Sequence, residues 1–285
     1  MPSNTIQWFP GHMAKTRRMI SENLKNVDIV IEILDARIPY SSRNPEIIKL
    51  TEGKPSLIIL NKCSLADPDS TKKWISKYSN TNAVCIPTDC ITGEGLNKLS
   101  PAIKEMLSEK VERYENKGMT GRKLKAMVLG IPNVGKSSLI NKISKSKKAK
   151  VENRPGVTLD KQWVSTDIGI DLLDMPGVLW PKFEDQKVGE NLALTGAVKD
   201  SILDIELLGT VLCGRLRELY PTLLCARYKL VEIPDCDNYD LMCLVGRKRG
   251  FLVSGGDIDT ERTANMLIDE FRAGKIGRIT LDKLG

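Results

Sequence analysis

Histidine is almost absent from this 285-residue chain, which has His12 alone, far in sequence from every cysteine. The seven cysteines (Cys63, Cys85, Cys90, Cys213, Cys225, Cys236 and Cys243) are odd in number and form no C-x-x-C pair. Both absences argue against a metal cluster. Most of these cysteines fall in apolar stretches, so they read as reduced core thiols in a reducing cytosol. No apolar run approaches the length that spans a bilayer, and Met1–Lys15 lacks the apolar h-region of a secretion signal. The expectation is a soluble, cytoplasmic chain with no membrane contact. Internal repeats and low-complexity tracts are missing too, which leaves ordinary globular domains.

The composition, 41% hydrophobic and 28% charged, suffices for two cores. The length allows one domain of ordinary size and a second, smaller one. The net charge of +7 is clustered rather than spread. One cluster is Lys142, Lys145, Lys147, Lys148, Lys150 and Arg154. A second is Arg247, Lys248 and Arg249 between Gly246 and Gly250, and a third is Lys15, Arg17 and Arg18. Clustered cations favour a polyanionic partner.

Short apolar or alternating runs predict strands at Ile29–Leu34, Ser56–Leu60, Ala83–Ile86, Ala126–Leu129, Gln162–Ser165 and Ile168–Leu173. Helical spacing lies between several of them, at Ser70–Tyr78, Leu96–Glu112 and Lys136–Ser144. Alternating strands and helices imply a doubly wound, mainly parallel sheet. After Pro181 the pattern turns helical, over 186–232 and 260–275, with a Gly-rich interruption at Gly246–Gly256. The expected boundaries are 1–180 and 181–285.

Within that frame, Gly130-Ile131-Pro132-Asn133-Val134-Gly135-Lys136-Ser137 fits G-x-x-x-x-G-K-[ST], with a strand before it and a helix after. Its backbone N–H groups and the helix N-terminus form an anion cradle, to which Val134, Gly135 and Ser138 belong. Lys136 would neutralise the β- and γ-phosphates, and the Ser137 hydroxyl would ligate magnesium. Downstream, Asp174-Met175-Pro176-Gly177 reads as the magnesium switch: Asp174 holds the ion through water and the Gly177 N–H senses the γ-phosphate. Between them, Thr158 in Arg154-Pro155-Gly156-Val157-Thr158 is the candidate switch ligand to the metal. The base-reading pair Asn61-Lys62 lies upstream of the phosphate loop instead of downstream. The order base, phosphate, magnesium is that of a circularly permuted G domain: a P-loop α/β fold with a six-stranded, mainly parallel sheet, followed by a smaller helical C-terminal domain.

With these elements in place, the chain resembles the circularly permuted GTPases that assemble ribosomes, the RbgA/YlqF family. The resemblance rests also on Trp8-Phe9-Pro10-Gly11-His12-Met13, Asp35-Ala36-Arg37-Ile38-Pro39 and Gly246-Arg247-Lys248-Arg249-Gly250, and it spans nearly the full length. It implies a GTP-hydrolysing factor, binding GTP and GDP with Mg²⁺, that acts on the large (50S) ribosomal subunit and its rRNA as a monomer. It also suggests a K⁺ ion beside the phosphates, placed by Asn133. His12 would supply the catalytic function, with packing in the Trp-Phe-Pro-Gly turn or an RNA contact as the competing reading, and Arg247, Lys248 and Arg249 would contact RNA phosphates. Asp35-Ala36-Arg37 would shape the site near the switch; a structural salt bridge is the simpler reading of those residues.

The sequence departs from the family at one telling position. The expected Asn-Lys-x-Asp reads Asn61-Lys62-Cys63-Ser64. A serine hydroxyl is neutral and short, whereas an aspartate accepts both donors of the guanine edge. A charge-assisted hydrogen bond is worth roughly 1.5–3 kcal/mol, so guanine affinity and selectivity should fall. Asp67 is a poor substitute and reads as a cap of the following turn. In Thr88-Asp89-Cys90-Ile91, Cys90 takes the place of the usual small polar residue, and the Ile91 N–H is the candidate donor to guanine O6. Val178 stands where a glutamine would orient water, which predicts slow intrinsic turnover. The rival reading is a nucleotide-gated RNA- or ribosome-binding module with little hydrolysis or relaxed base selectivity.

Overall fold

β1 (Ile29–Asp35) is buried along its whole length, as a strand covered on both faces must be. β2 (Ser56–Asn61) and β4 (Leu124–Leu129) are nearly as apolar and as covered. In the computed structural model, which describes residues 11–119, 121–144, 162–180, 183 and 185–284, they form the centre of a six-stranded sheet. β3 (Ala83–Pro87), β5 (Gln162–Ser165) and β6 (Ile170–Asp174) complete it in the order β3-β2-β1-β4-β6-β5. Every pair is parallel except β5 with β6. The expected six-stranded, mainly parallel sheet is therefore present.

Register decides what this sheet can do. Asp35 lies opposite Asn61, and Val128 opposite Asp174. The loops leaving β1, β2, β4 and β6 thus emerge at one edge, the carboxyl end, where open parallel sheets bind ligands. Two boundaries differ from expectation. Ile168 and Gly169 belong to the turn between β5 and β6, not to the strand. The single helix expected over Leu96–Glu112 is broken into α4 (Leu99–Met106) and α5 (Ser108–Asn116). Leu107 at the break is drawn into the core with Leu99 and Ile103, while α5 buries no residue of its own.

The remaining helices of this half are α1 (Gly11–Leu24), α2 (Pro45–Leu50), α3 (Pro68–Tyr78) and α6 (Lys136–Ile143). Beyond residue 185 the chain is helical: α7 (Gln186–Leu194), α8 (Ile205–Leu219), α9 (Pro221–Tyr228), α10 (Asn238–Arg249) and α11 (Thr260–Arg272). α10 corrects the expectation of a Gly-rich interruption at Gly246–Gly256. Gly246 lies inside the helix, where a Cβ would run into the side chains of Thr263 and Ile258. It permits close packing, so it does not end the element. Asp237 caps the start of α10, accepting from the Asp240 N–H, and Gly250 at φ +70° ends it.

The helices do not stand apart from the sheet. Ile31, Ile33 and Leu57 of the strands share one contiguous apolar cluster with Leu212, Leu216 and Phe271 of α8 and α11. Each such fully buried side chain contributes roughly 1.5–3 kcal/mol. Trp180 and Phe183 meet edge to face at 5.1 Å where the two halves join. After α11 the chain returns to the sheet's carboxyl edge. The Ile279 N–H donates to Leu65 O at 2.9 Å and the Leu281 N–H to Arg37 O at 2.7 Å. Among the described residues no helix is long and apolar enough to cross a membrane.

Candidate nucleotide-binding site

The loop between β4 and α6 has positive φ at Gly130 (+152°), Asn133 (+60°) and Gly135 (+101°). Gly135 is the N-cap of α6, and Lys136 and Ser137 open that helix, so its free N–H groups face the loop. Lys136 is buried, and its Nζ donates to Gly130 O at 3.1 Å and Ile131 O at 2.8 Å. Gly177 lies directly against it: a Cβ there would come within 2.9 Å of the Lys136 ammonium and of the Pro132 nitrogen. Val178 follows, buried, its N–H donating to Gly130 O at 3.3 Å.

Charge in this corner is poorly solvated. Burial lowers the Lys136 pKa to about 8, although the Asp174 charge pulls the other way. Burial likewise lifts Asp174 to about 6, against the pull of Lys136. Asp174 Oδ1 is buried without a hydrogen-bond partner among the described residues. A buried carboxylate oxygen with nothing to accept fits a cation or its water, and the Ser137 hydroxyl at the start of α6 is a matching hard oxygen donor. Among the described residues no group of three or more His, Cys, Asp and Glu side chains could hold a metal by itself.

The upstream motif meets this loop in space. Asn61, buried, donates through Nδ2 to Val134 O at 2.6 Å and accepts at Oδ1 from the Cys90 N–H at 3.1 Å. One side-chain amide therefore ties the base-reading strand to both the phosphate loop and the loop after β3. Lys62, itself left-handed at φ +61°, sends Nζ to Asn133 O at 2.8 Å and Asp35 Oδ2 at 2.9 Å. Asp35 also grips Arg37, Oδ1 accepting from Nε at 2.9 Å and Oδ2 from Nη2 at 2.8 Å. Burial alone would raise the Asp35 pKa, but Arg37 and Lys62 outweigh it and hold the carboxyl far below its ordinary range. Asp35-Ala36-Arg37 is thus a buried ion pair that anchors Lys62. The Arg37 guanidinium stacks 5.3 Å from the Phe271 ring centre.

Ser64 and the loop after β3 differ from expectation. The Ser64 hydroxyl donates to Asp89 Oδ2. Asp89 Oδ1 accepts from the Ile91 N–H at 2.7 Å and the Thr92 N–H at 3.1 Å, so the loop closes as an Asx turn. The Ile91 N–H expected for guanine O6 is therefore held by Asp89. The Cys90 thiol does not act as a polar edge: it is buried in the main core, and burial pushes it up to about 12. Sequence reasoning missed Asp89, whose only signal was its place beside Cys90. Asp67 is the N-cap of α3, accepting from the N–H groups of Asp69 and Ser70.

Lys62, Ser64, Asp89 and Asn133 line a cleft of about 870 Å³ whose far wall comes from the helical region, Gly196 to Asp200 with Arg272. Asn133 Nδ2 crosses it to Gly196 O at 2.7 Å. The Arg272 guanidinium donates to both Asp200 oxygens, at 2.7 and 2.8 Å, and to the Ala193 and Leu194 carbonyls at the end of α7.

His12 lies in α1, and its side chain falls outside the described part of the structure; Thr158 and the cations Lys145 to Arg154 lie outside the described residues. Ser138 is half-buried in the first turn of α6. Arg247, Lys248 and Arg249 form the last turn of α10, not a Gly-flanked turn. Arg249 is not a free cation, because it bonds Glu270 at 3.1 Å and lies 5.1 Å from the Tyr228 ring centre. Its partner in space is 21 positions away along the chain.

A family model described as 50S ribosome-binding GTPase matches residues 125–209. The chain is 46% identical to ribosome biogenesis GTPase A of Bacillus pumilus, across 98% of this chain and 99% of that one. It is 34% identical to mitochondrial ribosome-associated GTPase 1 of Xenopus tropicalis, across 96% and 94%. Among solved structures it is similar to a GDP-bound YlqF at 26% identity, with a TM-score of 0.64 over 93% of this chain and 99% of that one. A GNP-bound YlqF from T. maritima is similar at 25% identity and a TM-score of 0.61, over 94% and 98%.

Proposed function

Because this chain belongs to the ribosome biogenesis GTPase A family and is a circularly permuted GTPase of ribosome assembly, we propose that it acts on the large (50S) ribosomal subunit and binds rRNA in a nucleotide-dependent way. The observation that carries this reading is the meeting of Asn61 and Lys62 with the carbonyls of Val134 and Asn133. It makes one ligand site of two motifs that are far apart in sequence.

In that site the loop N–H groups and the start of α6 take the phosphates. Lys136 exchanges the Gly130 and Ile131 carbonyls for β- and γ-phosphate oxygens, which favours its charged form against the cost of burial. Ser137 and Asp174 would hold Mg²⁺, with Thr158 the further ligand expected from sequence, and the ion would neutralise charge on the phosphates. Asn133, its amide nitrogen turned to Gly196, would be the residue to place a K⁺ ion. Gly177 touches Lys136, so a γ-phosphate that displaces the ammonium also presses on the segment leading through Trp180 into the helices. Residues 181–285 are then the arm that reads nucleotide state against RNA, and Arg247 and Lys248 are its phosphate contacts.

Val178 is buried and apolar, so it cannot polarise water. Slow intrinsic turnover follows, with His12 as the group that completes the site on the subunit. The same residue favours the second reading, a gated binding module that barely hydrolyses GTP. A multiple-turnover GTPase assay with and without purified large subunits separates the two. The proposal expects subunit-stimulated turnover, lowered in His12→Ala with nucleotide affinity spared. No stimulation would leave the binding module.

A further inference from the structure

Ser64 removes the carboxylate that should read the guanine edge, yet the cleft beside it is not without one. We propose that Asp89, donated by the loop after β3, is the guanine-specificity residue of this chain, acting with Ser64 as a split acceptor. The inference rests on the nucleotide-site reading above.

Of the acidic residues near the strand β2 and the cleft, Asp35, Asp200 and Asp67 are committed elsewhere. Asp35 is held by Arg37 and Lys62. Asp200 gives both oxygens to Arg272. Asp67 caps α3 with one oxygen and accepts from Tyr220 and Lys283 with the other. Asp89 differs. Its Oδ1 is fixed by the Ile91 and Thr92 N–H groups, which orients the carboxylate, while Oδ2 takes the Ser64 hydroxyl alone among the described residues. A carboxylate oxygen has two acceptor sites, so Oδ2 keeps one.

The serine completes the pair. Because Ser64 spends its hydrogen on Asp89, its oxygen is left as an acceptor, polarised by that charged partner. Two acceptors at hydrogen-bond distance from each other thus line the cleft where guanine offers two donors, N1–H and N2–H₂. Adenine offers an unprotonated N1 there and would leave Oδ2 facing a lone pair. The arrangement has the charge of an Asn-Lys-x-Asp reader, with the carboxylate carried by the loop after β3. An aspartate placed at position 64 would not tighten binding, because it would set a second carboxylate against Asp89.

The test is nucleotide affinity of the full chain for GDP and for xanthosine diphosphate, whose base carries a carbonyl at C2 in place of the amine. Asp89→Asn keeps the shape and the loop-closing acceptor but turns a donor to the cleft. It should weaken GDP roughly 10- to 100-fold and strengthen xanthosine diphosphate, inverting the wild-type preference. Ser64→Asp should weaken GDP, and Ser64→Asp with Asp89→Asn together should recover it. A wild-type GDP preference in Asp89→Asn, or tighter GDP in Ser64→Asp, would overturn the assignment while leaving the GTPase site intact. Should Asp89→Asn lose its fold, the sign of the Ser64→Asp effect decides alone. A wild-type chain that binds no guanine nucleotide would sink the site reading itself.

Discussion

Asp174 and Lys136 show how far a ligand site departs from what stability alone would select. Each is a charge that burial disfavours, and they only partly relieve one another. The sign for Asp174 follows from its raised pKa. Between the ordinary carboxylate value of 3.8 and about 6 the folded chain holds a proton that the unfolded chain has released. Stability of the nucleotide-free chain contributed by this group therefore falls as pH climbs through that window, and stays reduced above it. Asp174→Asn removes the ionisation but keeps the shape. It should stabilise the metal-free chain at pH 7.5 by on the order of 1–3 kcal/mol, while abolishing the Mg²⁺-dependent part of GTP affinity. Denaturant unfolding at pH 4 and pH 7.5 checks this, since the gain should shrink at the lower pH. A variant less stable than wild type at pH 7.5 would refute the burial argument.

At the scale of elements, the turn after β2 is supported by the segment after α11. Arg278 donates to Ala66 O at 2.8 Å and to Cys63 O at 2.9 Å. Thr280 accepts from the Asp67 N–H at 3.1 Å and donates to Ala36 O at 3.2 Å. These bonds brace the turn that carries Ser64. Arg278→Ala should cost roughly 1–3 kcal/mol in denaturant unfolding and weaken GDP binding several-fold, measured by titration. Lost stability with unchanged GDP affinity would show that the segment serves the fold alone. None of this was legible in the sequence, nor were α10 and the Ser64–Asp89 contact. The strands were, because parallel strands buried on both faces read as apolar runs, and so was the phosphate loop, whose backbone turns demand particular residues at fixed spacing. Gly246 misled because glycine serves close helix packing as well as turns, and the pattern cannot tell which. Arg249 misled because Glu270, its partner, lies on another helix.

On the scale of the whole molecule, the apolar cluster shared by sheet and helices makes the two halves answer to one another. The positive charge then has a direction. Arg247, Lys248 and Arg249 are all exposed at the α10 terminus, but Arg249 is paired with Glu270. Neutralising Arg247 and Lys248 should flatten the log–log salt dependence of subunit binding by about 2 units and leave intrinsic GTP hydrolysis unchanged; sedimentation across a salt series reads the slope, and an unaltered slope would remove α10 from the interface. The claim at the centre of the account is that GTP occupancy of the Lys136 loop governs binding to the large subunit. Its most direct test is the affinity of the full chain for purified large subunits with a non-hydrolysable GTP analogue against GDP, in wild type and in Lys136→Ala. The account predicts roughly tenfold or tighter binding in the triphosphate state, a gap of at least about 1.4 kcal/mol, and no gap in Lys136→Ala. Equal affinity in the two nucleotide states of the wild-type chain would contradict it.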